Sequence, residues 1–151
     1  MKSMSEIIQK VKSLCASQQL CVLATQSEGQ PYSNLVAFAE TDELRSLIFM
    51  TNRNTRKYAN AMSNDKVAMM IDSRTNQPSD FNTALAVTAL GTIEEVAGFE
   101  HDSIVQIYLS KHPYLKEFAN MPDQALMRVK VTEYVIAHFD RVQIIHMDNL
   151  D

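Results

Sequence analysis

The segment LMRVKVTEYVIAHF at 126–139 constrains the fold of this chain more than any other part of the sequence. Apolar and polar side chains alternate along it, with Met127, Val129 and Val131 on one side and Arg128, Lys130 and Thr132 on the other. A period of two is typical of a strand that has one face in the core and one face in water. Such half-buried strands belong to antiparallel sheets, so we expect an antiparallel fold.

Shorter apolar segments bounded by turn residues predict the other strands. They cover 20–25, 32–40, 47–51, 66–72, 83–96 and the segment RVQIIHM at 141–147. The turn sequence QSEGQP indicates a hairpin between the first two strands, and Gly91 indicates a bulge or a close approach of strands. Helical patterns cover 5–17, a segment that begins near Asn54 or Thr55, and 100–120 with a break at Pro113.

Strands and helices do not alternate regularly along the chain, which argues against a doubly wound parallel sheet. A chain of 151 residues is expected to form one domain with one core. We therefore predict a single mainly-β domain over residues 1–151, with about six or seven antiparallel strands and flanking helices. A barrel or an α+β sheet accommodates these elements, and a barrel removes exposed strand edges.

Charge and composition argue against binding to nucleic acid, a membrane or a metal. The formal net charge is −4, whereas nucleic-acid binding requires a broad basic face. No apolar run reaches the ~18 residues of a membrane span, and the N-terminus MKSMSEIIQKVKSLC lacks the apolar core of a secretion signal. Cys15 and Cys21 have no metal-ligand spacing and are expected to be reduced thiols of a cytoplasmic protein. The four histidines lie on separate segments without ligand spacing.

The most informative local feature is the basic segment MTNRNTRKYAN at 50–60, which contains Arg53, Arg56 and Lys57 and no acidic residue. A strand is expected to end at Thr51 and a helix to begin near Thr55, so two of the cations meet the positive end of the helix dipole. A phosphate would resolve this conflict by accepting hydrogen bonds from backbone N–H groups, the two threonine hydroxyls, Arg56 and Lys57. The alternative is a solvated loop with scattered charges.

A second concentration of polar residues is the loop DSRTNQPSDFN at 72–82. It contains Ser73, Arg74, Asn76, Gln77 and Asn82 between two predicted strands. One interpretation is a lip over a ligand, and the other is an ordinary surface loop.

The segments LCVLAT, GQPYSNLVAFA and LIFMTNRNTRKYANAMSNDKVAMMID, in this order, resemble the flavin-binding split-barrel family typified by pyridoxamine 5′-phosphate oxidase. That family typically has a first strand ending in Ala-Thr, a glycine-containing hairpin and a strand ending in Phe-x-Thr. A basic segment, a helix with Asn and the sequence Asn-Asp-x-Val or Asn-Pro-x-Val follow before the next strand. The later segments TALGTIEEV and LMRVKVTEYVIAHF also resemble strands of the family, so the likeness covers roughly 20–140.

The resemblance implies a homodimer of split β-barrels with flavin mononucleotide (FMN) in clefts at the dimer interface. The family's phosphate-binding segment falls on Thr51, Asn52, Thr55, Arg56 and Lys57. The strand that runs along the isoalloxazine ring falls on Ser33, Asn34, Leu35 and Val36. The polar loop approaches the ring in the family, which makes Ser73, Arg74, Gln77 and Asn82 further candidates.

The function implied is that of an FMN-dependent oxidoreductase that passes hydride or electrons between a reduced nicotinamide and a small-molecule acceptor. The flavin carries this chemistry, so no catalytic side chain is assigned. The C-terminus HMDNLD lacks a basic tail that could grip a vitamin substrate, and oxidation of vitamin B6 is not predicted. The alternative is a non-catalytic or haem-handling split barrel that acts as a carrier, a sensor or a sequestering protein.

Overall fold

The computed structural model describes residues 3–150, with only the backbone described for Asp42 and Leu150. The predicted domain of residues 1–151 also includes Met1, Lys2 and Asp151, which lie outside the described residues.

Seven strands and five α-helices make up the described part of the chain. The strands are β1 Leu20–Ser27, β2 Gln30–Thr41, β3 Ser46–Asn52, β4 Lys66–Asp72, β5 Ala86–Glu95, β6 Gln124–Ala137 and β7 Val142–His146. The helices are α1 Met4–Ser17, α2 Arg56–Ser63, α3 Asp80–Thr83, α4 His101–Lys111 and α5 Lys116–Ala119. Single 3-10 turns lie at Asp42–Leu44, Gly98–Glu100, Pro113–Leu115 and Met147–Leu150.

All strand pairs are antiparallel, and the sheet order is β3-β2-β1-β4-β5-β6-β7. An additional pairing of β3 with β6 closes six strands into a barrel and leaves β7 as an extra strand on β6. The predicted mainly-β antiparallel barrel with flanking helices is therefore confirmed. Closure is possible because β6 is long enough to pair with β3, β5 and β7.

Local sequence signals account for a tight turn and a bulge in the barrel. Glu28 and Gly29 both have positive φ angles and form the tight turn of the predicted hairpin between β1 and β2. The predicted bulge in β5 lies between Leu90 and Gly91. A Cβ atom added at Gly91 would lie 2.1 Å from the carbonyl oxygen of Lys130 in β6, so the close approach of these strands requires glycine there.

The alternation predicted for β6 is also confirmed. Met127, Val129 and Val131 are buried, whereas Lys130 and Thr132 are exposed. On the outer side Arg128 is half-buried and forms hydrogen-bonded ion pairs with Glu94, at 2.7 Å, and Glu100, at 3.0 Å. These pairs tie β6 to β5 and to the turn before α4.

Helix α1 packs one apolar face on the barrel, with Ile7, Val11, Leu14 and Cys15 buried. It begins at Met4, one residue before the predicted 5–17, and the Ser3 hydroxyl caps it by accepting a hydrogen bond from the N–H group of Glu6. Cys15 and Cys21 are free and buried, and burial raises the pKa of each thiol to about 12. Within residues 3–150, no helix is long and apolar enough to cross a membrane.

Candidate functional site

The start of α2 lies directly after β3, and Thr55 is its N-cap residue. The Thr55 hydroxyl accepts a hydrogen bond from the N–H group of Tyr58 at 3.3 Å and donates one to the carbonyl oxygen of Asn52 at 2.8 Å. Thr51 is buried, and its Oγ1 atom lies 3.3 Å from Oγ1 of Thr55. Two hydroxyl groups and the first free N–H groups of the helix therefore lie together at one helix end.

The first cation of the basic segment, Arg53, is neutralised within the protein. Its Nη2 atom lies 2.6 Å from Oε2 of Glu95, a residue at the end of β5. The hydroxyl of Tyr58 donates a hydrogen bond to the other oxygen of the same carboxylate at 2.6 Å. The hydrogen bond from Arg53 lowers the pKa of Glu95, so this carboxylate stays ionised and holds α2 against the barrel.

The other two cations have different environments. The Arg56 guanidinium is exposed and lies 4.4 Å above the centre of the Tyr32 ring in β2, a cation–π contact. Lys57 is half-buried, and burial lowers the pKa of its ammonium group. Among the described residues no acidic side chain forms an ion pair with Lys57, which leaves a partly desolvated positive charge beside the helix end.

Lys57 lines a cleft of about 330 Å³, which we call the α2 cleft. One wall comes from β2 and β3, the second from the start of α2, and the third from the segment that contains α4 and α5. The lining residues are Leu35, Val36, Ala37, Met50, Thr51, Asn52, Thr55, Lys57, Tyr108, Leu115 and Phe118. The structure thus brings together six of the residues predicted from the sequence: Leu35, Val36, Thr51, Asn52, Thr55 and Lys57.

Three further predicted residues lie near this cleft without lining it. Arg56 points to Tyr32, and Ser33 is exposed on β2. Asn34 donates a hydrogen bond to the carbonyl oxygen of Leu35 at 3.4 Å. Its own Oδ1 atom is buried and accepts no hydrogen bond from the residues that the structure describes. Asn34 therefore offers an unused acceptor on the strand predicted to run along a cofactor ring.

The predicted loop residues Ser73, Arg74, Gln77 and Asn82 do not line the α2 cleft. The Ser73 hydroxyl accepts a hydrogen bond from the N–H group of Leu85 at 2.9 Å and fixes the base of the loop. Arg74 lines two other clefts, and Gln77 and Asn82 are exposed. Asp80, which opens the helical turn α3, organises the loop by accepting hydrogen bonds from Thr75 and Asn76.

The third wall of the α2 cleft was not predictable from the sequence. Tyr108 is buried there, and burial raises its pKa to about 12. The His112 ring packs against Tyr108, with 5.1 Å between ring centres, and its Nε2 atom lies 2.6 Å from the carbonyl oxygen of Phe38. No local motif marks Tyr108, Leu115 and Phe118, because their place depends on how the segment between β5 and β6 folds back over β2.

The family model described as pyridoxamine 5′-phosphate oxidase matches residues 7–136. Since this match covers most of the chain, the chain belongs to the pyridoxamine 5′-phosphate oxidase family. No curated protein matches the chain in a sequence comparison.

Solved structures show the same fold at low sequence identity. A heme binding protein from Mycobacterium smegmatis has a TM-score of 0.83 and 15% identity, over 97% of this chain and 59% of that protein. HutZ, a heme storage protein from Vibrio cholerae, has a TM-score of 0.69 and 13% identity over 91% of this chain and 92% of its own. A FAD-binding protein from Mesorhizobium loti has a TM-score of 0.68 and 14% identity over 85% of this chain and 91% of that protein. This chain spans less than two thirds of the length of the Mycobacterium smegmatis protein.

Proposed function

We propose that the α2 cleft binds FMN, with the phosphate at the start of α2. The observation that carries this proposal is Lys57, a half-buried cation with a lowered pKa and no acidic partner among the described residues. A protein gains no stability from such a charge by itself, because burial opposes it. A phosphate beside Lys57 would supply the missing negative charge and accept hydrogen bonds from the free N–H groups of α2.

The rest of the cleft fits a flat, largely apolar ring. Leu35, Val36 and Ala37 are its apolar lining residues from β2, with Leu35 and Ala37 on the outer side of the strand and Val36 on the inner side, and Phe118 is an apolar lining residue from α5. Asn34, on the same strand but outside the lining, carries a buried amide oxygen that accepts no hydrogen bond from the described residues. Thr51 and Asn52 line the cleft beside the start of α2, where the phosphate and the adjoining ribityl chain would be held. The residues present therefore fit the cofactor.

On this basis we propose that the protein is an oxidoreductase. Bound flavin would supply the chemistry for transfer of hydride or electrons between a reduced nicotinamide and a small acceptor. This chain's own residues bind the phosphate through Lys57 and orient the ring on β2. The buried free thiols fit a reducing compartment, and we propose a cytoplasmic location.

Haem handling is the second candidate, and two similar structures are described as proteins that bind or store haem. A haem propionate is an anion and could also approach Lys57. No histidine or cysteine lines the α2 cleft. Its two side chains of a type that can ligate haem iron, Met50 and Tyr108, are buried, and burial raises the pKa of the Tyr108 hydroxyl to about 12. This difference in ligands favours flavin in this cleft.

We also propose that the protein is a homodimer. One row of outward-facing residues crosses six strands in register: Leu35, Val22, Met70, Thr88, Val135 and Ile144. Leu20, Ala37, Ala86 and Ala137 flank this row, and we call the whole surface the apolar face. Contiguous apolar surface of this kind is typical of an interface, and a second copy of the chain offers the matching surface.

The visible spectrum of the purified protein tests the flavin assignment. The proposal predicts flavin absorption bands, after addition of FMN if the protein is isolated without it, that bleach when reduced nicotinamide is added without oxygen. Flavin bands that persist under these conditions would contradict the proposed oxidoreductase activity and would support flavin binding alone. A Soret band after haem addition, together with no uptake of FMN, would favour the second candidate.

A further inference from the structure

A carboxylate of β5 holds the start of α2 without lining the α2 cleft. Both oxygens of Glu95 are engaged, one by the Arg53 guanidinium at 2.6 Å and the other by the Tyr58 hydroxyl at 2.6 Å. Arg53 lies two residues before the N-cap residue Thr55, and Tyr58 lies three residues after it. Glu95 is therefore attached to the chain on both sides of the cap, and we call Glu95, Arg53 and Tyr58 together the Glu95 anchor.

Helix α2 requires support from outside because its own sequence destabilises its start. It is eight residues long, and an isolated helix of this length is marginal in water. Its first turn contains Arg56 and Lys57 and no acidic residue, so two cations meet the positive end of the helix dipole. Asp or Glu in the first turn would normally supply the opposite charge. Here the Glu95 carboxylate supplies it from β5.

Tyr58 connects the Glu95 anchor to the cap of the helix. Its backbone N–H group donates to the Thr55 hydroxyl at 3.3 Å, while its own hydroxyl donates to Glu95. The Thr55 hydroxyl donates to the carbonyl oxygen of Asn52 at 2.8 Å and lies 3.3 Å from the Thr51 hydroxyl. The hydrogen bond to Glu95 raises the pKa of Tyr58, so its phenol stays protonated as a donor. One chain of contacts thus runs from Glu95 to the hydroxyl groups that line the α2 cleft.

The Glu95 anchor also fixes the direction of Lys57. Successive residues of an α-helix project about 100° apart, so the first turn cannot rotate about its axis without moving Tyr58 and Lys57 together. Lys57 lines the α2 cleft, whereas Tyr58 does not. Holding Tyr58 on Glu95 therefore keeps the Lys57 ammonium group directed at the cleft.

A different contact holds the later turn of α2. The Asn60 side-chain amide donates to the hydroxyl of Thr25 in β1 at 3.0 Å, and both residues are buried. Loss of this bond would leave a buried amide without its partner and would destabilise the packing of the helix. It involves neither the N-cap nor the Glu95 anchor, so the two ends of α2 can be perturbed separately.

We propose that Tyr58, Glu95 and Arg53 are positioning residues for the phosphate site. They hold Lys57 and the free N–H groups of α2 in the direction that a phosphate in the α2 cleft requires, and none of the three contacts the ligand. This inference rests on the proposed function and extends it, because it makes selectivity for FMN over riboflavin depend on residues outside the cleft.

Tyr58→Phe tests this role, because it removes one hydroxyl and leaves every charge in place. Fluorescence titration of the full chain measures the affinities for FMN and riboflavin. FMN binding is expected to weaken at least about threefold and riboflavin binding to stay within about twofold, since only FMN uses the first turn of α2. Arg53→Gln is expected to shift the two affinities in the same direction. Tyr114→Phe, which removes an exposed hydroxyl outside the Glu95 anchor, is expected to change neither.

Thr25→Val is the matched control, because it removes the bond at the later turn of the same helix. It is expected to lower the midpoint of thermal unfolding and to preserve the ratio of the FMN and riboflavin affinities. Amide hydrogen exchange of the ligand-free protein gives a second measurement. The first turn of α2 is expected to exchange faster in Tyr58→Phe than in the wild type and in Thr25→Val.

Two kinds of result would overturn the inference, and they are distinguishable. If the wild type prefers FMN and Tyr58→Phe keeps the same preference, or Thr25→Val loses it equally, the positioning role is wrong and the phosphate site stands. Unchanged exchange in the first turn of Tyr58→Phe has the same meaning. If the wild type binds FMN and riboflavin equally, the proposed phosphate site is wrong and this inference fails with it.

Discussion

At the scale of single residues, Gly91 is a position where the close approach of two strands leaves no room for a Cβ atom. The bulge between Leu90 and Gly91 brings β5 so close to β6 that a Cβ atom would meet the backbone of Lys130. A backbone carbonyl cannot turn away as a side chain can, so the two strands would have to separate locally.

We expect Gly91→Ala to lower the free energy of unfolding by about 1–3 kcal/mol. Thermal and urea unfolding of the variant and the wild type measure this difference. Gly29→Asn is the matched control, because Gly29 has a φ angle of +78° and open space around it. Asparagine adopts a positive φ more readily than most residues, so the control is expected to lower stability through backbone strain alone and by less than Gly91→Ala does. Equal stability of Gly91→Ala and the wild type would contradict the strand geometry.

Residues whose role depends on their neighbours in sequence were predictable. Thr55 caps α2, and Gly91 forms the bulge, because caps and bulges involve only a few adjacent residues and one partner strand. The role of Arg53 was not predictable, because its partner Glu95 lies at the far end of β5. The basic segment contains no acid, yet one of its three cations is neutralised by tertiary structure.

At the scale of elements, strand positions followed from apolar patterns and turn residues. The strand predicted at 66–72 has those bounds, and β6 has the predicted alternation. The strand predicted at 83–96 begins only at Ala86, because Asp80 starts a helical turn that ends at Thr83. The carboxylate of Asp80 stabilises the loop before this turn through contacts that a strand pattern cannot reveal.

The candidate site was also predictable only in part, because one of its walls depends on tertiary structure. The start of α2 and the middle of β2 were identified from the sequence, and both line the α2 cleft. The wall that contains Tyr108 and Phe118 was not, because it depends on how a long connection folds over the barrel. The loop at 73–82 was expected near the same ligand, but its Arg74 lines other clefts of this chain.

At the scale of the whole molecule, the apolar face is a surface that packing within a single barrel does not bury. Barrel closure covers the inner faces of the strands, whereas the outer row from Leu35 to Ile144 remains accessible in one chain. Burial of this row between two copies would remove apolar surface from water in both.

We expect Leu20→Glu combined with Ile144→Glu to convert the proposed dimer to a monomer, because each change places a charge in the interface. Light scattering at micromolar concentration measures the mass. Phe99→Glu is the control, since Phe99 is fully exposed and lies in the turn before α4 and outside the apolar face. A wild-type protein that is monomeric, or a double variant that stays dimeric, would contradict the interface.

The affinities for FMN and riboflavin, measured by fluorescence titration, test the proposed phosphate site at the start of α2, because only FMN carries a phosphate. We expect the wild type to bind FMN at least about tenfold more tightly than riboflavin, and Lys57→Gln to remove most of this difference. Lys116→Gln, which changes an exposed lysine outside the cleft, is expected to preserve it. Lys57→Gln also removes a charge that burial opposes, so this variant is expected to be at least as stable as the wild type. Equal affinities of the wild type for FMN and riboflavin would contradict a phosphate site at the start of α2.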